Sequence, residues 1–112
     1  MSDIQTIVEE LVDFRDKRQW AQFHDSKNLA IAISIEAAEL NELFLWKNGT
    51  DAEQADLERI KEELADIFSF CFLLAHKHGL NVSEIIRDKI RLNDKKYPVE
   101  KAKGTAKKYN EL

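Results

Sequence analysis

Residues 50–79 read TDAEQADLERIKEELADIFSFCFLLAHKHG, and the fold is decided by how that stretch repeats. Ile60, Glu63, Phe70 and Leu73 recur at helical spacing on one face, with Asp66 continuing the row, while Glu58, Lys61, Glu62 and Ala65 take the other side. Thr50-x-x-Glu53 has the form of a capping box, and Gly79 suits the residue just past a helix end, so the spacing predicts one long helix from about 50 to 77. Working outward, residues 29–46 carry a second stripe of Leu29, Ala32, Ile33, Leu40 and Leu43. This helix is expected to begin with Asp25 or Ser26 as cap and to run to about Trp46, ahead of the breaker Asn48-Gly49. A first helix covers about residues 3–18 through Ile4, Ile7, Val8, Leu11, Val12 and Phe14. A fourth begins at Asn81, with Glu84 three residues on, and must stop before Tyr97-Pro98, because a residue preceding Pro is pushed out of the helical region. Short connections imply antiparallel neighbours. The expected class is therefore all-α: an antiparallel four-helix bundle in one domain spanning 1–112, with a basic, partly irregular tail over about 98–112.

Bulk properties narrow the function. The chain has 112 residues with only three Gly and one Pro, and 34% of its residues are charged, a composition of helices with solvated outer faces. A chain of this length buries only roughly two-thirds of its unfolded surface, so a long helical hairpin gains from self-association. The net charge of −4 is uneven: residues 94–112 set six Lys against three acids, an excess of +3, which leaves −7 on residues 1–93. There is no general basic surface, so duplex nucleic acid is not an expected partner. The longest apolar stretch, Ile67 to Ala75, is about half of what crosses a bilayer, and the N-terminus shows no signal-peptide pattern. A cytoplasmic protein without membrane partners is expected. Cys71 is the one cysteine and reads as a small buried hydrophobe.

The informative feature is two pairs of acids. Glu36 falls inside the apolar stripe of the second helix, three residues after Ile33 and four before Leu40, and Glu39 lies one turn on, in line with Leu43 and Trp46. Glu63 and Asp66 sit likewise on the third helix. Residues three apart share a helix face, so both pairs are expected to point inward. Burying four carboxylates without a counter-charge is costly, and neither stripe carries Lys or Arg. A single acid pair of this spacing would be read as an ordinary solvated helix face. Two inward pairs on helices joined by a short loop call for a hard divalent cation with oxygen ligands, Mg²⁺ first and Mn²⁺ second. A di-iron bundle would need His where Glu39 and Asp66 stand. His76 and His78 point apart on a helix, and His24 is isolated, so no second metal site is expected.

With these residues assembled, the chain resembles the MazG-like all-α nucleoside triphosphate pyrophosphohydrolases, whose signature is E-x-x-E followed after a helix-spanning gap by E-x-x-D. Here it is Glu36-Ala-Ala-Glu39 and Glu63-Leu-Ala-Asp66. Trp20-Ala-Gln-Phe23-His24 with Lys27-Asn28-Leu29, then Leu43-Phe44-Leu45-Trp46-Lys47, Lys89-x-x-x-Asn93-x-x-Lys96-Tyr97-Pro98 and Lys107-Lys108-Tyr109 are similar to the dCTP-pyrophosphatase-like branch, in order along nearly the whole chain. The resemblance implies hydrolysis between the α and β phosphates of a nucleoside triphosphate, a role in cleansing the nucleotide pool, and Glu36, Glu39, Glu63 and Asp66 as metal ligands. Glu36 is the expected general base, with Glu39 nearly as good. Lys89 and Lys96 are expected at the phosphates, Asn93 at a phosphate or the sugar, and Tyr97 at the sugar or closing the pocket. Trp20 and Trp46 would stack on the base, Phe23 and Phe70 would form walls, and His24 and Asn28 would read polar edges. One departure stands out. The first-helix position where the dCTP-selective branch has a base-facing His is Leu11 here, so the resemblance does not carry cytosine selectivity with it. The Tyr of the third helix is likewise replaced, by Phe70. The competing reading is a non-catalytic helical interaction or regulatory module holding a structural metal, and a related enzyme acting on a diphosphate-type substrate would differ only in its products.

Overall fold

A computed structural model describes residues 3–112, and every regular element among them is helical. Helix α1 (Asp3–Lys17) is followed by a turn in which the Trp20 amide donates to the Arg15 carbonyl at 3.1 Å, then by a 3₁₀ turn (Ala21–Phe23). Helix α2 (Ser26–Glu42) is capped by Asp25, whose carboxylate accepts from the Asn28 amide at 2.7 Å. Ser26 is thereby free to bond elsewhere, and its hydroxyl lies 2.9 Å from Nε2 of His78, the residue that ends α4. The start of α2 is thus tied to the end of α4, and the two helices run antiparallel.

Two expected boundaries move. Helix α2 stops at Glu42 rather than Trp46; residues 43–46 form successive turns, and Trp46 has φ of +65°, which a continuing α-helix does not allow. The capping box at Thr50 does not start the long helix either. It belongs to a one-turn helix, α3 (Gly49–Glu53), with no side-chain cap, and α4 (Leu57–Lys77) begins afresh under Asp56, whose carboxylate accepts from the Glu58 amide at 3.0 Å. Of the two N-cap signals within seven residues, only Asp56 caps a helix with its side chain; the Thr50 box lies inside α3 and makes no cap.

The chain divides into two compact units, one ending at Gly79 and one beginning at Leu80. In the first, α2 packs along α4, and α1 packs against α4. The buried side chains are Val8, Leu29, Leu43, Ala55, Leu73 and Ala75, and Leu29 is the most enclosed at 2% exposure. In the second unit, α5 (Val82–Lys96) is capped as expected by Asn81, which accepts from the Glu84 amide at 3.0 Å, and it ends at Tyr97 ahead of Pro98. The basic tail contains a short helix, α6 (Val99–Ala102), and a 3₁₀ turn (Tyr109–Glu111) between irregular residues. Four long helices are therefore present as expected, with α1, α2 and α4 packed in the first unit and α5 in the second. No described helix is long and apolar enough to cross a membrane.

The core is thin for the apolar content. Ile31 and Ile35 on α2 and Leu57, Leu64 and Phe68 on α4 remain exposed within one chain. Leu29, on α2, is the most enclosed side chain of the unit, so truncating it leaves a cavity in the core. Leu29→Ala is expected to lower unfolding stability by about 2–5 kcal/mol in denaturant titration; a loss below about 1 kcal/mol would show that its burial does not support the fold.

Candidate functional site

The antiparallel pairing of α2 with α4 sets the acids opposite one another. Glu36, Glu39 and Glu63 each offer a carboxylate oxygen, and these oxygens all lie within 4.8 Å of one another. Glu36 and Glu63 are half-buried, while Glu39 and Asp66 are exposed. The expectation that all four point inward is thereby corrected. Residues three apart on a helix are offset by roughly 60° around the axis, so one member of each pair is more enclosed than the other, although Glu39 still reaches across to Glu63. Asp66 falls outside the close trio but is near enough for its charge to act on Glu36.

The trio is electrostatically tense. Oε2 of Glu36 and Oε2 of Glu63 are both inaccessible and without a hydrogen-bond partner. Ionised carboxylates have no donor to offer each other. The Glu36 carboxyl is pushed up to about 7, first by burial, then by hydrogen bonds to Glu39 and Glu63 that only its protonated form donates, and then by the negative charges of Glu39 and Asp66. Two remedies exist for such a cluster: a proton on Glu36, or a cation among the three. The all-oxygen donor set suits a hard divalent ion, and the two orphaned oxygens are the atoms such an ion would satisfy.

Beside the trio lies a cavity of about 380 Å³. Helix α1 lines it with Leu11, Phe14 and Arg15, the connecting segment with Trp20 and His24, and α4 with Asp66, Ser69, Phe70 and Leu73. Asp66 thus links the acids to an aromatic pocket. Phe14 and Trp20 meet edge to face at 5.9 Å, His24 and Phe70 at 6.3 Å. The His24 ring is held below its ordinary pKa by burial and then by the charge of Arg15, so it is favoured neutral, and its Nδ1 is buried without a partner.

Of the residues expected at the base, the cavity unites Trp20, His24 and Phe70. Phe23 and Asn28 do not line it: Phe23 is exposed, and the Asn28 side chain donates to the Phe23 carbonyl at 3.1 Å. Trp46 is 94% exposed within this chain and lines no part of the cavity. Lys89, Asn93 and Lys96 share one face of α5, and Tyr97 closes that helix with its amide donating to the Asn93 carbonyl at 2.8 Å. There Lys96 Nζ lies 5.0 Å from the Tyr109 ring, and Tyr109 meets Tyr97 edge to face at 6.2 Å. Sequence reasoning missed Arg15 and Ser69. Both read as ordinary helix-surface residues, and only the approach of α1 to α4 gives them a cavity to face. The Cys71 thiol is half-buried and raised by burial, which makes it inert, as a small hydrophobe should be.

The chain is similar to known proteins in both sequence and fold. The chain is 34% identical over 105 residues to dCTP pyrophosphatase 1 of Mus musculus and 33% identical over 107 residues to that of Homo sapiens, each match covering 89% of this chain. It spans 62% of the length of these curated relatives. A crystal structure of a pyrophosphatase from Archaeoglobus fulgidus superposes with a TM-score of 0.82 at 33% identity, covering 88% of this chain and 94% of that one. Residues 31–112, which include all four acids and α5, match the model of the MazG-like family. With the acids, the all-helical frame and the sequence in agreement, this chain belongs to the MazG-like family, and its likeness lies with the dCTP pyrophosphatase branch.

Proposed function

We propose that this chain hydrolyses a nucleoside triphosphate, a dNTP such as dCTP among the candidates, to the monophosphate and pyrophosphate, and so cleanses the nucleotide pool. The observation that carries the reading is the meeting of Glu36, Glu39 and Glu63 from two antiparallel helices, with two carboxylate oxygens left unsatisfied, next to an aromatic cavity that shares Asp66. The relatives named dCTP pyrophosphatase support the same chemistry.

In this reading Glu36, Glu39 and Glu63 hold Mg²⁺, or Mn²⁺ in its place, with Asp66 at the rim as fourth ligand. The bound ion would draw negative charge from the triphosphate oxygens and offset the charge that develops as the α–β bond breaks. Glu36 accepts the proton of the attacking water through a carboxylate oxygen not used as a ligand; it sits half-buried at the centre of the trio with one oxygen left without a partner. Trp20, Phe70 and His24 hold the base end in the cavity. Lys89, Asn93, Lys96 and Tyr97 are assigned to the phosphates and sugar because Lys89-x-x-x-Asn93-x-x-Lys96-Tyr97 resembles the pattern of the dCTP-pyrophosphatase-like branch. Trp46 and the apolar residues left exposed on α2 and α4 are assigned to a second copy of this chain, against which a homodimer or homotetramer would bury them.

Three measurements test this. Pyrophosphate release from a dNTP panel should require Mg²⁺, stop on chelation, and fall by on the order of 10²-fold or more in Glu63→Ala; metal binding with no release in wild type would favour the non-catalytic module. Metal affinity should also follow the Glu36 proton. Because the folded state raises this pKa, metal-free protein gains stability from the retained proton at low pH and loses that gain as pH rises through about 7. Metal must displace that proton, so calorimetric Mg²⁺ affinity should drop by about tenfold per pH unit below 7, and Glu36→Gln should flatten the dependence. A pH-independent affinity in wild type would remove Glu36 from the ligand set. Finally, light scattering should give an oligomer that Phe68→Lys shifts toward monomer; a monomeric wild type would sink the assembly.

A further inference from the structure

The cavity beside the carboxylates contains one cation that the proposed reaction leaves without a role. Arg15, in the last turn of α1, is only 16% exposed at its side chain. Its Nε donates to Asp16 at 2.9 Å, and its backbone carbonyl accepts from the Trp20 amide, so the guanidinium is fixed at its base. The two terminal nitrogens make no hydrogen bond among the described residues. A guanidinium has donors only and never loses its charge in a protein. It therefore asks for acceptors, and its planar fork asks for two of them side by side.

Which part of a nucleotide meets it follows from the walls. The triphosphate belongs with the metal-binding acids, and the cavity presents another carboxylate, Asp66, to anything anionic. Phe14, Trp20 and Phe70 give the remainder an aromatic lining suited to a flat heterocycle. Leu11 supplies no polar group, and the Ser69 hydroxyl donates to the Ala65 carbonyl at 2.7 Å. Trp20 and His24 can each offer at most a single ring N–H, so the paired donors available to a base edge are those of the Arg15 fork.

We propose that Arg15 reads the base, selecting nucleotides whose base presents two adjacent hydrogen-bond acceptors. This rests on the pyrophosphohydrolase reading above. Guanine offers O6 with N7, and cytosine offers O2 with N3. Adenine sets an amine beside N7, so a donor would meet a donor. Thymine and uracil separate their two carbonyls by an N–H. Guanine and cytosine nucleotides are thus the favoured class, by about 10-fold or more over adenine.

The test is calorimetric binding of the four non-hydrolysable α,β-imido dNTPs with Mg²⁺, to wild type and to Arg15→Lys and Arg15→Met, alongside pyrophosphate release from the natural dNTPs. The guanine and cytosine analogues should bind wild type at least about tenfold more tightly than the adenine analogue. Arg15→Lys, which keeps the charge and loses the fork, should abolish that preference while leaving adenine affinity within about threefold. Arg15→Met should do the same without the charge. The proposal is overturned if wild type binds all four alike or binds none, if the variants keep the wild-type ranking, or if they weaken all four equally, as a phosphate contact or a folding role would. Pyrophosphate release with an unchanged ranking in the variants would reject Arg15 and leave the reaction standing. Base discrimination lost in the variants, with no release from wild type, would reject the reaction and leave Arg15 as the base reader.

Discussion

Everything in the first unit hinges on packing α2 against α4 with carboxylates facing across the seam. Apolar contact on either side makes this tolerable: Leu29 on α2, Leu43 just past its end, and Leu73 and Ala75 on α4 are buried, and the Ser26–His78 hydrogen bond pins one end. The acids between them oppose the same contact, since like charges repel and their desolvated oxygens lack partners. A fold that keeps such a cluster loses stability to it, and the loss makes sense where a cation or a proton occupies the gap. Placing the acids on two long helices rather than on loops also fixes their spacing, because backbone hydrogen bonds in the helices hold each Cα in register.

How much of this could be read from residues alone follows from what periodicity encodes. Apolar stripes located α1, α2 and α4, the Asn81 cap signal and Pro98 located α5, and the interruption of two stripes by Glu36 and Glu63 pointed to the candidate site, because a charged residue on a buried face is a local contradiction visible without coordinates. Boundaries were less legible. Leu43-Phe44-Leu45-Trp46 is apolar throughout and reads equally as helix or turn, and the left-handed Trp46 is set by the path of the chain into α3. Asp56 was hidden by the stronger-looking Thr50–Glu53 box. The division of each acid pair into a half-buried member and an exposed one could not be seen from spacing, which says that two residues share a face but not where the partner helix meets it.

Arg15 illustrates a different limit. In sequence it is one of several basic residues near the end of α1, beside Lys17 and Arg18 and next to Asp16, and its ion pair with Asp16 looks like surface decoration. Arg18 does stay local, with its guanidinium 3.7 Å from the Phe14 ring centroid and a donor on the Phe14 carbonyl. Arg15 differs because α1 approaches α4 on its side. A tertiary contact, invisible to period or motif, turns one of two similar cations into part of a cavity wall.

The arrangement along α4 bears on how such a site can vary. Glu63, Asp66, Phe70 and Leu73 follow one another at three- and four-residue steps, so the acids and the cavity wall occupy one row of one helix. From Glu63 to Phe70 the row advances by about 10 Å, a span on the scale of a nucleotide laid between a metal-held phosphate and a stacked base. In the proposed reaction α4 therefore sets the distance between chemistry and recognition, and a change there disturbs both. Helix α1 contributes no acid to the proposed metal site and supplies Leu11, Phe14 and Arg15 to the cavity alone. Base preference can then be retuned from α1 while the hydrolytic acids stay as they are. That separation accounts for a chain that keeps Glu36, Glu39, Glu63 and Asp66 intact and yet departs from the dCTP-selective pattern at Leu11.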